Sequence, residues 1–199
     1  LASRLPWPPD RGDTLRAYNF IKQISRKHTI VLISFIDSDA QRDAARSLDD
    51  YCSRIELVPI SKLKSMAGAA RALVAGSPLQ AGFYRSRHFR ETVDRVIEEE
   101  RPDAALCHLF RLYPYIDGKS IYKIADLTDV ISLEIERSLE YRSFPWRNIY
   151  SIEYPRIRKY EIYIGARADE CWFISRHDAE EFKKRAPGAN VRVVVQNLA

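Results

Sequence analysis

The sequence is poor in glycine and cysteine, with 7 and 3 of 199 residues, and has no window of the ~20 uninterrupted apolar residues that a membrane-spanning helix needs. With 10 prolines and no periodic glycine it is neither collagen-like nor linker-rich. Cys52, Cys107 and Cys171 lie far apart and lack the paired spacing of a zinc site. That argues against a disulfide framework or a structural metal and fits a soluble protein of the reducing cytoplasm. No G-x-G-x-x-G is present, which argues against a dinucleotide, and no G-x-x-x-x-G-K-[ST], which argues against a nucleoside triphosphatase. No internal repeat or low-complexity stretch appears, and no signal peptide is expected.

What is present is 46% hydrophobic and 11% aromatic residues, enough for one globular domain with its own core and too much for a disordered tail. The net charge of +5 suits a phosphate-bearing ligand, an anionic membrane face or nucleic acid alike. Leu1-Ala2-Ser3-Arg4 reads as the end of a strand, so both ends of the chain are expected to be cut from something longer.

Short apolar runs alternate with amphipathic segments, the pattern of a doubly wound, mostly parallel sheet with helices on both faces. Seven strands are expected, at 1–5, 29–35, 54–59, 103–107, 121–126, 170–174 and 191–195. Asp13 is placed to cap a helix carrying Leu15, Tyr18, Ile21 and Ile24, closed by Lys27 and His28. Further helices are expected at 41–51, 63–74, 87–100 and 176–184, and the segment 130–168 reads as long and helical. Gly76-Ser77-Pro78 and Pro102 act as breaks. In such a sheet the ligand sits outside the C-terminal strand ends where strand order reverses, here between the first and fourth strands.

Several residues fall on that rim. Gly12 precedes the first helix, where a glycine and free helix-start amides favour an anion or a hydroxyl-rich ligand, unless the segment is only a proline-rich turn. His108, in Cys107-His108-Leu109-Phe110-Arg111, ends the fourth strand and can serve a sugar hydroxyl or act as a base oriented by a carboxylate; otherwise it is structural. Asp126 and Asp129, leaving the fifth strand, can orient an acceptor hydroxyl or take its proton, unless Thr128 or Asp129 caps the next helix. Ser175 and Arg176 leave the sixth strand towards the same rim, with capping by Ser175 the favoured alternative. From Glu140 to Lys159 aromatics interleave with arginines, a pattern for stacking, phosphate contacts or a membrane interface, or for a solvated helix with its tyrosines turned inward.

Taken in order, Ser3-Arg4-Leu5-Pro6, Gly12-Asp13 with Arg16-Ala17-Tyr18, Ser77-Pro78-Leu79-Gln80, Asp126-Leu127-Thr128-Asp129 with Ser132, and Tyr160-Glu161 form a set. That set resembles the N-terminal half of GT-B glycosyltransferases of group 1, above all the exosortase-associated sugar transferases of bacterial exopolysaccharide clusters. The resemblance implies a Rossmann-like acceptor-side domain facing a second, donor-binding domain that lies outside this chain. It implies transfer from a nucleotide-sugar co-substrate to a glycan or lipid-linked acceptor, with retention, no further cofactor and no obligatory metal. His108 is similar to the family histidine that contacts the donor sugar, with Asp126 and Asp129 as the other catalytic candidates. Gly12 is similar to the loop glycine near the donor diphosphate, although the family often has two glycines there. Asp13, Arg16, Arg111, Ser175 and Arg176 complete the expected donor-contacting set. Asn197 matches a Pro-Asn-Gly-like step, while Gln196 and Leu198 depart from it.

Other readings are a GT-B nucleotide-sugar epimerase and a non-enzymatic basic module for nucleic acid or membrane. Nucleic acid is the less expected partner. A basic surface with exposed aromatics also suits peripheral contact with the inner membrane leaflet.

Overall fold

Parallel strands covered by helices on both faces are what the computed structural model contains, and it describes residues 1–195. The expected Pro-Asn-Gly-like step at 196–198 lies outside the described residues. The first half runs α1 (Gly12–Ile24), β1 (Val31–Ile36), α2 (Ala40–Ala45), β2 (Arg54–Pro59), α3 (Lys62–Ala75), α4 (Leu79–Phe83) and α5 (Arg87–Glu100). The second runs β3 (Ala104–His108), a 3-10 helix (Phe110–Tyr115), β4 (Tyr122–Thr128), α6 (Ile131–Ser138), α7 (Trp146–Arg167), β5 (Glu170–Phe173), α8 (Arg176–Arg185) and β6 (Val191–Val193).

The strands pair in parallel as β1 with β2, and as β3-β4-β5-β6. Six strands form among the described residues, not the seven expected. The segment 1–5 contributes a single parallel bridge, Ala2 with Ser34, because the chain bends at Ser3-Arg4 and then enters a run of prolines that lack donors. That short segment still joins the two sheets. The Ala2 amide donates to the Ile33 carbonyl at 2.9 Å, and the His108 amide donates to the Leu1 carbonyl at 3.0 Å. The order reversal therefore falls between β1 and β3. Towards their N-terminal ends these two strands part around a cavity of about 720 Å³ lined by Phe20, Ile24, Val31, Val96 and Ala104.

β1 reads VLISFI and is buried along nearly its whole length, as a strand covered on both faces must be. Leu32 and Ile36 pack with Ile21 of α1 and with Leu48, while Ile33 and Phe35 face the main core. The Phe35 ring stacks on Phe89 of α5, with centroids 4.1 Å apart. Phe173 of β5 meets Phe182 of α8 at 4.8 Å. Cys52, Cys107 and Cys171 are free and buried, and burial pushes the last two thiols up to about 12.

Local departures have local causes. Asp13 does not cap α1; the Thr14 hydroxyl accepts from the Arg11 amide at 3.1 Å and closes the turn instead. The expected helix 41–51 is shorter, α2 tightening into a 3-10 turn at Arg46–Leu48. The long segment 130–168 is two helices: α6 ends at Ser138 and tightens into a 3-10 turn at Leu139–Tyr141, and α7 starts after Pro145, which suits the start of a helix where no amide hydrogen is needed.

Helix α4 was not expected. It forms because α3 stops at Gly76, whose φ of +68° favours glycine, and because Gly68 of α3 and Gly82 of α4 let the two backbones touch. A Cβ on Gly82 would stand 2.4 Å from the Ala72 Cβ and 2.6 Å from the Gly68 carbonyl oxygen. Gly82→Ala is therefore expected to cost about 1–3 kcal/mol, read as a lower denaturant midpoint. An unchanged midpoint would show that the helices separate freely.

Candidate functional site

The parallel register sets His108, the last residue of β3, directly beside Asp126 of β4. Nδ1 of His108 lies 2.7 Å from Oδ2 of Asp126. From the other side Arg16 of α1 donates to the same carboxylate, Nε to Oδ2 at 3.0 Å and a terminal nitrogen to Oδ1 at 2.7 Å. The other terminal nitrogen of Arg16 donates to the Val194 carbonyl at 2.9 Å. Its guanidinium also lies 4.5 Å from the Phe20 ring centroid. Arg16, His108 and Asp126 are all buried, and Nε2 of His108 has no hydrogen-bond partner.

Three sequence-predicted residues thus form one buried network. Asp126 has both oxygens committed, so its chemistry is to hold His108 and neutralise Arg16. A carboxylate bonded to Nδ1 orients the imidazole, but Nε2 is itself buried and His108 borders the cavity of about 720 Å³ between β1 and β3, not the open rim on which the sequence placed it. The strands end beside this pair in backbone that side chains rarely adopt, Leu109 at φ +70° and Thr128 at φ +65°. Sequence reasoning missed both, since neither is a glycine or asparagine that would advertise a left-handed position.

Arg111 follows β3 on the 3-10 helix and is half-buried. Its Nε donates to the Ser3 hydroxyl at 3.2 Å and a terminal nitrogen donates to the Gln80 side-chain oxygen at 3.0 Å. The guanidinium lies 4.9 Å from the Tyr84 ring centroid. Among the described residues it has no carboxylate partner, and burial, with Arg4 adding, pulls its pKa down from the usual arginine value. Arg111 lines an open cleft of about 1570 Å³ at the C-terminal ends of β1 and β2, together with Lys64, Arg71, Arg85 and Arg90. Asp117 is the sole acidic residue of that lining, and it is taken up by Arg167 and Tyr163. The cleft is positive.

Gly12 opens α1 and is exposed, and a Cβ there would meet nothing within 4 Å. Asp13 lies beside it, 3.7 Å from Arg11. Asp129 is exposed at the end of β4; crowding by the surrounding protein and then the carboxylates of Asp178 and Glu134 hold its pKa above the ordinary range. Neither Thr128 nor Asp129 caps α6. Glu161 of α7 does, accepting from the Ser132 amide at 3.1 Å and its hydroxyl at 2.5 Å. Ser175 accepts from the Asp178 amide at 3.0 Å and so caps α8, leaving Arg176 exposed. Among the described residues no group of three or more His, Cys, Asp or Glu is arranged to hold a metal ion.

The fold and rim define a Rossmann-like α/β domain with a positive cleft at the C-terminal edge of its parallel strands. Comparisons with protein-family models, curated proteins and solved structures return no match for this chain.

Two outcomes test the buried network. Asp126→Asn leaves Arg16 charged and unpaired in the interior and is expected to cost about 3–5 kcal/mol in chemical denaturation; a loss below about 1 kcal/mol would mean that water reaches the pair. Burial also raises the Glu161 carboxyl above its usual 4.5, against the hydrogen bonds from Ser132. A raised folded-state value favours the protonated form, so this contribution to stability is full below the unfolded value and is lost as pH rises through the folded one. Glu161→Gln is therefore expected to gain in melting temperature relative to the wild type as pH goes from about 5 to about 7. A pH-independent difference would mean that Glu161 titrates normally.

Proposed function

We propose that the chain is the acceptor-side domain of a glycosyltransferase, which moves a sugar from a nucleotide-sugar donor to a glycan or lipid-linked acceptor with retention at the anomeric carbon. The observation that carries the reading is Arg111, a guanidinium with neutral partners at the rim of a parallel sheet, in a cleft of like charge. A cation kept without a carboxylate is matched to an anion that arrives, and a nucleotide diphosphate is the anion such a rim commonly takes. The first-turn amides of α1 start at the exposed Gly12, and Asp13 beside it lies within electrostatic reach of Arg111, so these amides add positive potential near the same rim.

In this reading each residue has a role that its surroundings support. Arg111 and the start of α1 stabilise the charge that grows on the departing diphosphate, with their dipoles already in place. His108 is held in one orientation by Asp126, and because its unpartnered Nε2 is buried and the residue borders the cavity between β1 and β3, it acts as a positioning residue behind the rim. Asp126 acts as a positioning residue, and Arg16 fixes Asp126 rather than a phosphate. Asp129 is the exposed carboxylate, and its raised pKa makes it the better proton acceptor for an incoming hydroxyl.

Retaining transfer needs a closed, water-poor cleft between two domains, so the 199-residue chain alone is expected to bind donor weakly and transfer nothing. An amide-resolved NMR titration with a panel of nucleoside diphosphate sugars checks this. Expected are shifts centred on Gly12 to Thr14, His108 and Arg111, lost in Arg111→Ala. Shifts confined to other surfaces, or efficient sugar transfer by the chain on its own, would overturn the reading.

A further inference from the structure

From Leu57 through Arg90 the chain contains no acidic residue and six basic ones, Lys62, Lys64, Arg71, Arg85, Arg87 and Arg90. Helix α3 lies within this stretch and is amphipathic in the inverted sense. Ser65 and Ala72 are buried and Gly68 lies against α4, so this side of α3 faces the protein. Leu63, Met66, Ala70, Leu73 and Val74 follow one another at helical spacing on the opposite side. That side faces solvent: Leu63 is 80% exposed and Val74 90%. Large aliphatic side chains on the outer face of a helix gain nothing from the fold and mark a surface that meets something else.

The start of α7 continues the patch. Arg156 of α7 donates to the Leu73 carbonyl at 2.9 Å, and Glu153 accepts from the Leu79 amide at 2.7 Å, so α7 runs past the C-terminal end of α3. One and two turns before Glu153 on the same side of α7 come Ile149 and Trp146, both exposed, and Phe144 beyond them is 81% exposed. Arg142 and Arg147 flank these side chains, and no acidic residue lies between Tyr141 and Ile152.

We infer that this face, α3 with the first turns of α7, is a docking surface for an anionic lipid bilayer. The apolar side chains enter the acyl boundary while the lysines and arginines reach the headgroups, which is the division of labour of an interfacial amphipathic helix. Exposed Trp146 and Tyr141 suit the headgroup level. A second copy of the chain is disfavoured, because a two-fold contact would press two acid-free basic surfaces together. Nucleic acid would engage the cations and leave Leu63, Met66 and Val74 in water. The inference rests on this surface alone and stands whichever reaction the rim supports. It differs from the sequence expectation in placing the contact chiefly on α3.

The test is flotation of the 199-residue chain with vesicles of phosphatidylcholine alone or of equimolar phosphatidylcholine and phosphatidylglycerol. Expected is binding to the anionic vesicles that weakens with added salt, with little to the neutral ones. Leu63→Glu combined with Val74→Glu is expected to reduce binding by roughly tenfold or more. Its circular dichroism and melting temperature should match the wild type, since both side chains lie outside the core. Lys183→Glu on α8 should leave binding as it was. Failure to float with anionic vesicles overturns the inference, and so does binding that the double substitution leaves intact. Concentration-dependent dimerisation abolished by the same substitution would also overturn it, in favour of a second copy.

Discussion

The buried ion pair of Arg16 and Asp126 is the constraint on which the rim of this molecule depends. Arg16 arrives from α1 and Asp126 from β4, and the remaining arm of the guanidinium reaches the chain after β6. One side chain therefore fixes how the first helix lies across the sheet. An ion pair taken out of water returns little net stability, but each partner is costly to leave alone. Its value here is selective: packings of α1 that separate the two charges are excluded. His108 inherits its orientation from the same carboxylate.

Around that fixed point the charges are sorted. Three acidic residues are spent on internal partners, Asp126 on Arg16 and His108, Asp117 on Arg167 and Tyr163, Glu161 on Ser132, while Asp129 stays exposed. Lys64, Arg71, Arg85 and Arg90 form no ion pair among the described residues and line the cleft that holds Arg111, whereas Arg87 pairs with Glu91 and Arg95 with Glu56. The modest net charge of +5 thus understates the local potential, which is concentrated where strands β1 to β3 end. The apolar outer face of α3 borders the same region, so cleft and surface share one electrostatic field.

Much of the rim could be read in the sequence. The strand 54–59 and the helix 87–100 have the bounds that their apolar pattern and breaks predict. The placement of Gly12, His108, Asp126 and Arg111 on one edge follows from strand order in parallel sheets. The motif segments also meet in space, Ser3 and Gln80 on Arg111 and Ser132 on Glu161. What each residue does at that edge was not legible. Arg16 was expected to face a phosphate and is buried under α1 instead, because nothing in a helical pattern says which arginine turns inward. Asp126 and Asp129 could not be told apart, since burial separates them and burial is a property of the assembled sheet.

The sequence by itself determined the alternation of elements, the parallel class of the sheet and the edge where a ligand would approach. Those follow from local periodicity, breaks and strand direction, which neighbouring residues encode. Only the tertiary structure decided the partners: which carboxylate is consumed, which guanidinium stays available, and that the apolar stripe of α3 faces outward. Such outcomes depend on residues brought together from across the chain, Arg16 with Asp126 and Gly68 with Gly82, and no window of sequence contains both sides of those contacts.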